Sequence, residues 1–268
     1  MPRLVPTPKI APLALGLACL AMPLAAQDRE ADPGLDTLQE RIEDRDVMFG
    51  VQIEREVTDD LLETGRLVAM GGSEAGGAGM ACISCHGAEG QGDGSGAFPR
   101  LAGQPGWYLY KQLIDYASGA RPNAVMTGVA TRLTEQEMEA VSAYYAAIEA
   151  PYHDPLGDLD AQTLQWGGQL AAVGSEERGI PACVNCHGPS GAGLPPAVPY
   201  LAGQYANYMT HQLQLWSEGQ RDNDAMNVMS AIARQLTEED MKAVSEYFAR
   251  VRPLEDEAPE VATPSEDN

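Results

Sequence analysis

Two copies of the motif Cys-x-x-Cys-His-Gly carry the chemistry that this sequence predicts. The reactive residues are Cys82, Cys85 and His86 in the first copy and Cys183, Cys186 and His187 in the second. Two cysteines at this spacing can each form a thioether to one vinyl group of a porphyrin, and the following histidine then lies beneath the iron as its proximal ligand. The motifs therefore predict two covalently bound haems c and one-electron transfer.

A pair of cysteines also has two competing explanations, a zinc site and a thioredoxin-like redox disulfide. Zinc needs four ligands at each site, and the four cysteines could join His86 and His187 in one cluster. Each histidine nevertheless follows its own cysteine pair directly, as haem attachment requires. Haem is therefore the favoured interpretation, and zinc or a redox dithiol is the alternative.

The N-terminus has the pattern of a secretory signal. Arg3 and Lys9 precede an apolar run, and small residues follow it up to Ala26. Residues 1–26 are therefore predicted to be a signal peptide that is cleaved after Ala26. The run is shorter than the roughly 20 residues of a membrane-spanning helix, and no later stretch could span a bilayer. Because covalent haem attachment takes place outside the cytoplasm, we expect a periplasmic protein whose mature chain has no membrane span.

Cys19 lies inside the apolar run and outside both motifs. It could be the acylated cysteine of a lipoprotein, but Gly16 stands where such a signal has a large aliphatic residue. We therefore expect Cys19 to be removed with the signal peptide. The other four cysteines belong to the motifs, so a disulfide framework is not available.

The chain is strongly acidic, with 39 Asp and Glu against 17 Lys and Arg and a formal charge of −22. Such a charge excludes nucleic acid as a partner, since nothing here could neutralise phosphates. Two explanations remain, namely steering toward a basic docking face on a redox partner, or solubility. Much of the acid lies in the flanks, so we predict an acidic N-terminal extension at 27–57 and a disordered acidic tail at 253–268.

The two halves of the chain repeat each other beyond the haem motifs. Pro-Arg-Leu-Ala-Gly-Gln at 99–104 matches Pro-Tyr-Leu-Ala-Gly-Gln at 199–204, and Leu-Thr-Glu at 133–135 recurs at 236–238. This is a tandem duplication of one domain. The predicted boundaries are 58–150 for domain 1, 151–157 for the linker and 158–252 for domain 2.

The pattern within each repeat predicts helices and little strand. Thr58 with two acidic residues after it is suited to begin a first helix, and Thr134 with Glu137 has the spacing of a capping box at the start of a last one. Met138 and Val141 belong to one apolar face of that last helix. A loop is expected to carry the methionines that precede it. The predicted fold class is all-α, with a small helical domain around each haem.

The sixth ligand of each iron separates an electron carrier from a catalyst, because methionine closes the iron to substrates. Met126 and Met229 each end a Val-Met pair ahead of the last helix, at matched places in the two repeats. We therefore predict that both ligate iron, against the alternative that they fill gaps in the core. Met226 is a rival to Met229, but the first repeat has no methionine at the matching place.

Four further polar residues are candidates for a role at the haems. Arg121 and Arg221 either pair with haem propionates or are simply arginines at a helix end. His153 lies in a proline-bounded segment and is expected to be exposed. His211 occupies the place of a lysine in the other repeat, which favours a surface or packed residue over an iron ligand.

The motifs, taken in order, resemble the dihaem class I cytochromes c of the cytochrome c4 type. Cys-x-x-Cys-His-Gly, Pro-x-Leu-Ala-Gly-Gln, Val-Met and Leu-Thr-Glu recur in both halves, and the resemblance covers about residues 58–252. It implies two tandem cytochrome c domains related by a pseudo-twofold axis, with histidine and methionine on both irons. It also implies that the carbonyls of Pro99 and Pro199 accept hydrogen bonds from the proximal histidines, which fixes the rings and their basicity.

The resemblance implies a periplasmic electron carrier and no catalytic residues. Its expected partners are redox proteins such as a terminal oxidase, a quinol-oxidising complex or a dehydrogenase. One alternative is the cytochrome subunit of a dehydrogenase that oxidises sulfide or an alcohol, which the acidic extension favours. Another is a dihaem enzyme such as a thiosulfate dehydrogenase or a peroxidase. The predicted distal methionines argue against an enzyme, because catalysis needs an iron that substrate can reach.

Overall fold

A computed structural model describes residues 57–72, 81–149, 159–194 and 198–252. The predicted signal peptide with Cys19, the acidic extension up to 56, the linker with His153, and the tail from 253 lie outside the described residues. The described residues all fall within one compact unit. None of their helices is both long and apolar enough to cross a membrane.

Each half contains five α-helices among the described residues. The first half has α1 (Asp59–Ala69), α2 (Ile83–His86), α3 (Gly106–Ser118), α4 (Met126–Ala130) and α5 (Glu135–Ala147). The second half has α6 (Ala161–Ala172), α7 (Val184–His187), α8 (Ala206–Ser217), α9 (Val228–Ala233) and α10 (Glu238–Arg250). Two isolated bridges are the only β pairings in the described part of the chain, so the prediction of an all-α fold is confirmed.

Side-chain caps begin the helices where the sequence predicts them. The Thr58 hydroxyl accepts a hydrogen bond from the N–H of Leu61 at 3.2 Å at the start of α1. A full capping box joins Thr134 to Glu137 at the start of α5, and Thr237 forms the same box at α10. These caps satisfy backbone donors that the first helical turn leaves without partners.

The expectation that a loop carries the methionines is wrong, because short helices begin there. The side-chain oxygen of Asn123 accepts hydrogen bonds from the N–H groups of Val125 and Met126, at the start of α4. In the second half, the Asp224 carboxylate accepts from the N–H of Met229 at 2.7 Å. The N-cap residue itself forms no side-chain cap in either helix, so one acceptor a few residues earlier binds the N–H groups at the helix start instead.

The first and last helices of each half cross with their backbones in contact at a glycine. A Cβ atom at Gly65 would lie 2.1 Å from the carbonyl oxygen of Ala140, and one at Gly167 would lie 2.1 Å from that of Ala243. The apolar faces of the helices then form a core in each half. Its buried members are Val68, Ala69, Leu109, Val141 and Tyr145 in the first half, and Ala171, Met209, Val244, Phe248 and Ala249 in the second.

A buried carboxylate ties α10 to the rest of the second half. The side chain of Asp240 is 4% exposed and accepts hydrogen bonds from Arg178 at 2.5 Å and from the indole N–H of Trp166 at 2.8 Å. Burial by itself raises the pKa of Asp240, but the hydrogen bonds from Arg178, Thr237 and Trp166 outweigh it and lower the pKa to about 2. The carboxylate is therefore ionised and stabilising at neutral pH.

We expect Gly167→Ala to lower the free energy of unfolding by about 1–3 kcal/mol, because the new methyl group forces α6 away from α10. Gly128→Ala is the matched control, since no atom lies within 4 Å of the added Cβ in α4. Alanine is the better helix former there, so this control should be neutral or stabilising. Denaturant unfolding of the holoprotein measures both variants. Equal stability of the two would contradict the packing described here.

We expect Asp240→Asn to lower the free energy of unfolding by about 2 kcal/mol at pH 6, which corresponds to the fall in the pKa from 3.8 to about 2. A carboxylate with a lowered pKa stabilises the fold above its unfolded pKa and loses this effect as pH falls toward the folded value. The difference between wild type and variant should therefore shrink to about half at pH 3. Urea unfolding at the two pH values tests this prediction. A stability difference between wild type and variant that stays the same at both pH values would contradict the lowered pKa of Asp240.

Candidate functional site

A cavity of about 560 Å³ brings the predicted site residues together. Its lining includes Cys82, Cys85, His86, Pro99 and Met126 from the first half, and Cys183, Cys186, His187, Pro199 and Met229 from the second. Leucine, valine and aromatic side chains of both cores form much of the remaining wall. An apolar space that carries two thiols, one imidazole and one thioether from each half has the donor set of a covalently attached haem c.

A carbonyl oxygen holds each motif histidine in one orientation. Nδ1 of His86 lies 2.9 Å from the carbonyl oxygen of Pro99, and Nδ1 of His187 lies 3.0 Å from that of Pro199. A carbonyl can only accept, so Nδ1 carries the proton and Nε2 keeps the lone pair with which a histidine binds iron. Burial lowers the pKa of both imidazoles, more than these hydrogen bonds raise it. Both rings are therefore held neutral, the form that binds a metal.

The zinc alternative finds no support in the described part of the chain. No group of three or more His, Cys, Asp or Glu side chains there comes close enough to hold a metal ion. No disulfide joins the four motif cysteines to one another. Their arrangement as two separate cysteine pairs, each beside its own oriented histidine, fits two haems.

The three methionines of interest differ in where their side chains lie. Met126 and Met229 are both partly buried and line the cavity. Met226 is 80% exposed, has a φ of 56° and lies outside the cavity lining. Of the two rivals in the second half, the structure thus brings Met229 to the site and not Met226.

Two glutamines, which the sequence analysis did not single out, join the halves next to the histidine sites. The N–H of Arg100 donates to the side-chain oxygen of Gln204 at 3.0 Å, and the Gln204 amide donates back to the carbonyl of Arg100 at 3.0 Å. In the equivalent pair, the N–H of Tyr200 donates to the side-chain oxygen of Gln104 at 3.0 Å, and the Gln104 amide donates to the carbonyl of Tyr200 at 2.7 Å. The repeated Pro-x-Leu-Ala-Gly-Gln motif, which places a glutamine at the same position in each half, was the signal that could have revealed them.

A second polar cluster at this interface contains two buried arginines. Arg121 and Arg221 are 5% and 3% exposed, and each donates to both Gln112 and Gln212 at distances from 2.7 to 3.2 Å. Neither guanidinium forms an ion pair with a described residue, and both line the cavity. Burial and the neighbouring guanidinium of Arg121 lower the pKa of Arg221. Both arginines follow the end of a helix, and their side chains also join the two halves.

His211 is exposed on α8, and it also contributes to the lining of the cavity. The hydrogen bonds that orient an imidazole against a proline carbonyl belong to His86 with Pro99 and to His187 with Pro199, and His211 takes part in neither. The described histidines at the centres of the two sites are therefore the two that follow the cysteine pairs.

Sequence comparisons place the two halves among known haem proteins. The family profile described as Cytochrome c matches residues 74–147 and 180–251. A protein of Stutzerimonas stutzeri named "Thiosulfate dehydrogenase electron acceptor" is 45% identical over 174 residues, or 65% of this chain and 80% of that protein. Cytochrome c4 of Pseudomonas aeruginosa is 39% identical over 188 residues, or 69% of this chain and 91% of its own length.

Two solved structures of haem proteins superpose on the fold of this chain. Reduced cytochrome c4 from Pseudomonas stutzeri superposes with a TM-score of 0.62 at 31% identity, and the match covers 73% of this chain and all of that one. Thiosulfate dehydrogenase TsdBA from Marichromatium purpuratum superposes with a TM-score of 0.64 at 41% identity over 72% of this chain. That second match spans only 40% of the TsdBA chain, so this chain corresponds to a part of it.

Proposed function

This chain belongs to the cytochrome c family, and we propose that it accepts electrons from a thiosulfate-oxidising dehydrogenase and passes them to a respiratory acceptor in the periplasm. It is a dihaem electron carrier of the cytochrome c4 type, with one covalent haem c in each half. The observation that carries the proposal is the 45% identity to a protein named as the electron acceptor of thiosulfate dehydrogenase. The two matched histidine sites on one cavity supply the means.

In this proposal, His86 and Met126 ligate one iron, and His187 and Met229 ligate the other. The haem iron supplies reversible one-electron exchange when it is bound. The cysteines would hold each porphyrin by thioethers, and the proline carbonyls keep each histidine ring in one orientation. Met126 and Met229 are partly buried and line the cavity, and as iron ligands they would exclude water and substrates from the iron.

Arg121 and Arg221 are proposed to hold the haem propionates. Two buried cations side by side repel each other, and glutamine oxygens neutralise neither charge. An anion in the adjoining cavity would compensate both, and guanidinium groups bind carboxylates with charge-assisted hydrogen bonds. The burial of both arginines and their place in the cavity lining support this role at the propionates.

The net charge of −22 suits a partner with a basic docking face, because opposite charges raise the rate of encounter. A dehydrogenase or a quinol-oxidising complex is the candidate electron donor, and a terminal oxidase is the candidate electron acceptor. A permanent subunit of a dehydrogenase is the second candidate function. The match of this chain to 40% of the TsdBA chain favours it, since a segment of an enzyme chain there has the same fold.

The ligand assignment predicts that Met126→Ala and Met229→Ala each remove half of the near-infrared band that arises from methionine bound to ferric haem. Met226→Ala is the matched control and should keep the full band, because its side chain is 80% exposed. Absorption spectra of the oxidised, haem-loaded proteins measure the band per haem. Loss of half of the band in Met226→Ala, with the full band in Met229→Ala, would show that the ligand in the second half is misassigned.

The functional proposal predicts that thiosulfate alone leaves the oxidised protein oxidised, whereas thiosulfate with a catalytic amount of thiosulfate dehydrogenase reduces both haems. Stopped-flow spectroscopy follows the reduction, and raising the salt concentration should slow it if charge steers the encounter. Rapid reduction by thiosulfate without the enzyme would instead make this chain an enzyme itself. Co-purification of a stoichiometric dehydrogenase from the native source would favour the subunit.

A further inference from the structure

We infer that Gln104 and Gln204 are positioning residues, each of which tunes the haem of the opposite half through the peptide group beside the proximal histidine. The inference rests on the proposed ligation of iron by His86 and His187. It assigns to each glutamine an effect on the reduction potential that crosses the boundary between the two halves.

In the first half, one peptide group serves both contacts. The carbonyl of Pro99 accepts from Nδ1 of His86 at 2.9 Å. The N–H of the same peptide belongs to Arg100 and donates to the side-chain oxygen of Gln204 at 3.0 Å. His86 and a glutamine of the second half are thus bonded to opposite ends of one planar, conjugated group.

The second half repeats this arrangement with the roles of the halves exchanged. The carbonyl of Pro199 accepts from Nδ1 of His187 at 3.0 Å. The N–H of that peptide belongs to Tyr200 and donates to the side-chain oxygen of Gln104, also at 3.0 Å. The residue after the proline is Arg100 in one half and Tyr200 in the other. The hydrogen bond to the glutamine is the same in both, because it uses only the backbone N–H of that residue.

Hydrogen bonds at the two ends of a peptide group strengthen each other. When the N–H donates, electron density moves toward the carbonyl oxygen, which becomes a better acceptor. A stronger bond from Nδ1–H gives the imidazole more anionic character and makes it a better donor to iron, which favours the ferric state. Each glutamine should therefore lower the reduction potential of the haem in the other half.

Burial and a return hydrogen bond keep the two glutamines in place. Gln104 and Gln204 are 4% and 3% exposed, so water has little access to replace them. The amide N–H of Gln204 also donates to the carbonyl of Arg100, and that of Gln104 donates to the carbonyl of Tyr200. The Gln204 oxygen also accepts from the N–H of Tyr205 at 3.1 Å, so each side chain is held by at least two hydrogen bonds and cannot rotate without breaking them.

The test is a redox titration of the haem-loaded protein followed by NMR, in which the hyperfine-shifted haem methyl signals report each iron separately. Gln204→Leu should raise the potential of the haem attached at Cys82 and Cys85, with a smaller change at the other haem. Gln104→Leu should do the reverse. Leucine is chosen because it removes both hydrogen bonds and cannot ligate iron.

Tyr205→Phe is the matched control. Its hydroxyl donates across the same interface to the carbonyl of Gln91 at 3.1 Å, but it contacts neither proline peptide through that bond. This variant should weaken the interface and leave both potentials close to wild type. If a leucine variant fails to fold, Gln204→Asn or Gln104→Asn withdraws the amide by one methylene and should shift the same haem in the same direction.

The Nδ1 proton of each proximal histidine gives an independent readout in the reduced, diamagnetic protein. Its resonance should move upfield for His86 in the Gln204 variant and for His187 in the Gln104 variant. The inference is overturned if neither potential moves, if both haems shift equally, or if each variant shifts only the haem of its own half. A preserved near-infrared methionine band in these variants separates such a failure from a failure of the ligand assignment.

Discussion

The hydrogen bond from each motif histidine to a proline carbonyl connects the two histidine sites to the interface between the halves. It fixes the ring of His86 against Pro99 and that of His187 against Pro199, so Nε2 has one direction in which to bind. Because the next N–H in each chain segment is bonded to a glutamine of the other half, the two sites and the interface share one backbone segment. The halves therefore cannot separate without disturbing the groups that hold the histidines.

Stability and coupling come from different parts of the fold. Each half has its own apolar core, built where the first and last helices cross at Gly65 or Gly167. The contacts between halves are instead polar and buried, and they involve glutamine, arginine and backbone groups. Such contacts are satisfied in only one relative orientation, whereas apolar surfaces tolerate sliding. The duplication thus supplies two similar haem domains, and the polar interface specifies how they meet.

Sequence alone predicted what depends on neighbouring residues. The capping box at Thr134 and the haem motifs each depend on a few consecutive positions, and the structure has them where the pattern indicated. The repeated motif marks Gln104 and Gln204 themselves, but their partners lie 96 and 104 residues away, so the neighbouring residues do not reveal what the glutamines contact. The short helix of Met126 was missed for a different reason, because one Asn123 side chain stabilises it and its few residues carry no periodicity.

The protein is an electron carrier, and the proposed histidine and methionine ligands would close both irons to substrate. The electron paramagnetic resonance spectrum of the fully oxidised, haem-loaded wild-type protein tests this most directly. Ligation by one histidine and one methionine at both irons predicts low-spin ferric signals that integrate to two spins for each chain, with no high-spin component. A high-spin signal of one spin per chain would reveal an iron open to substrate and contradict the account.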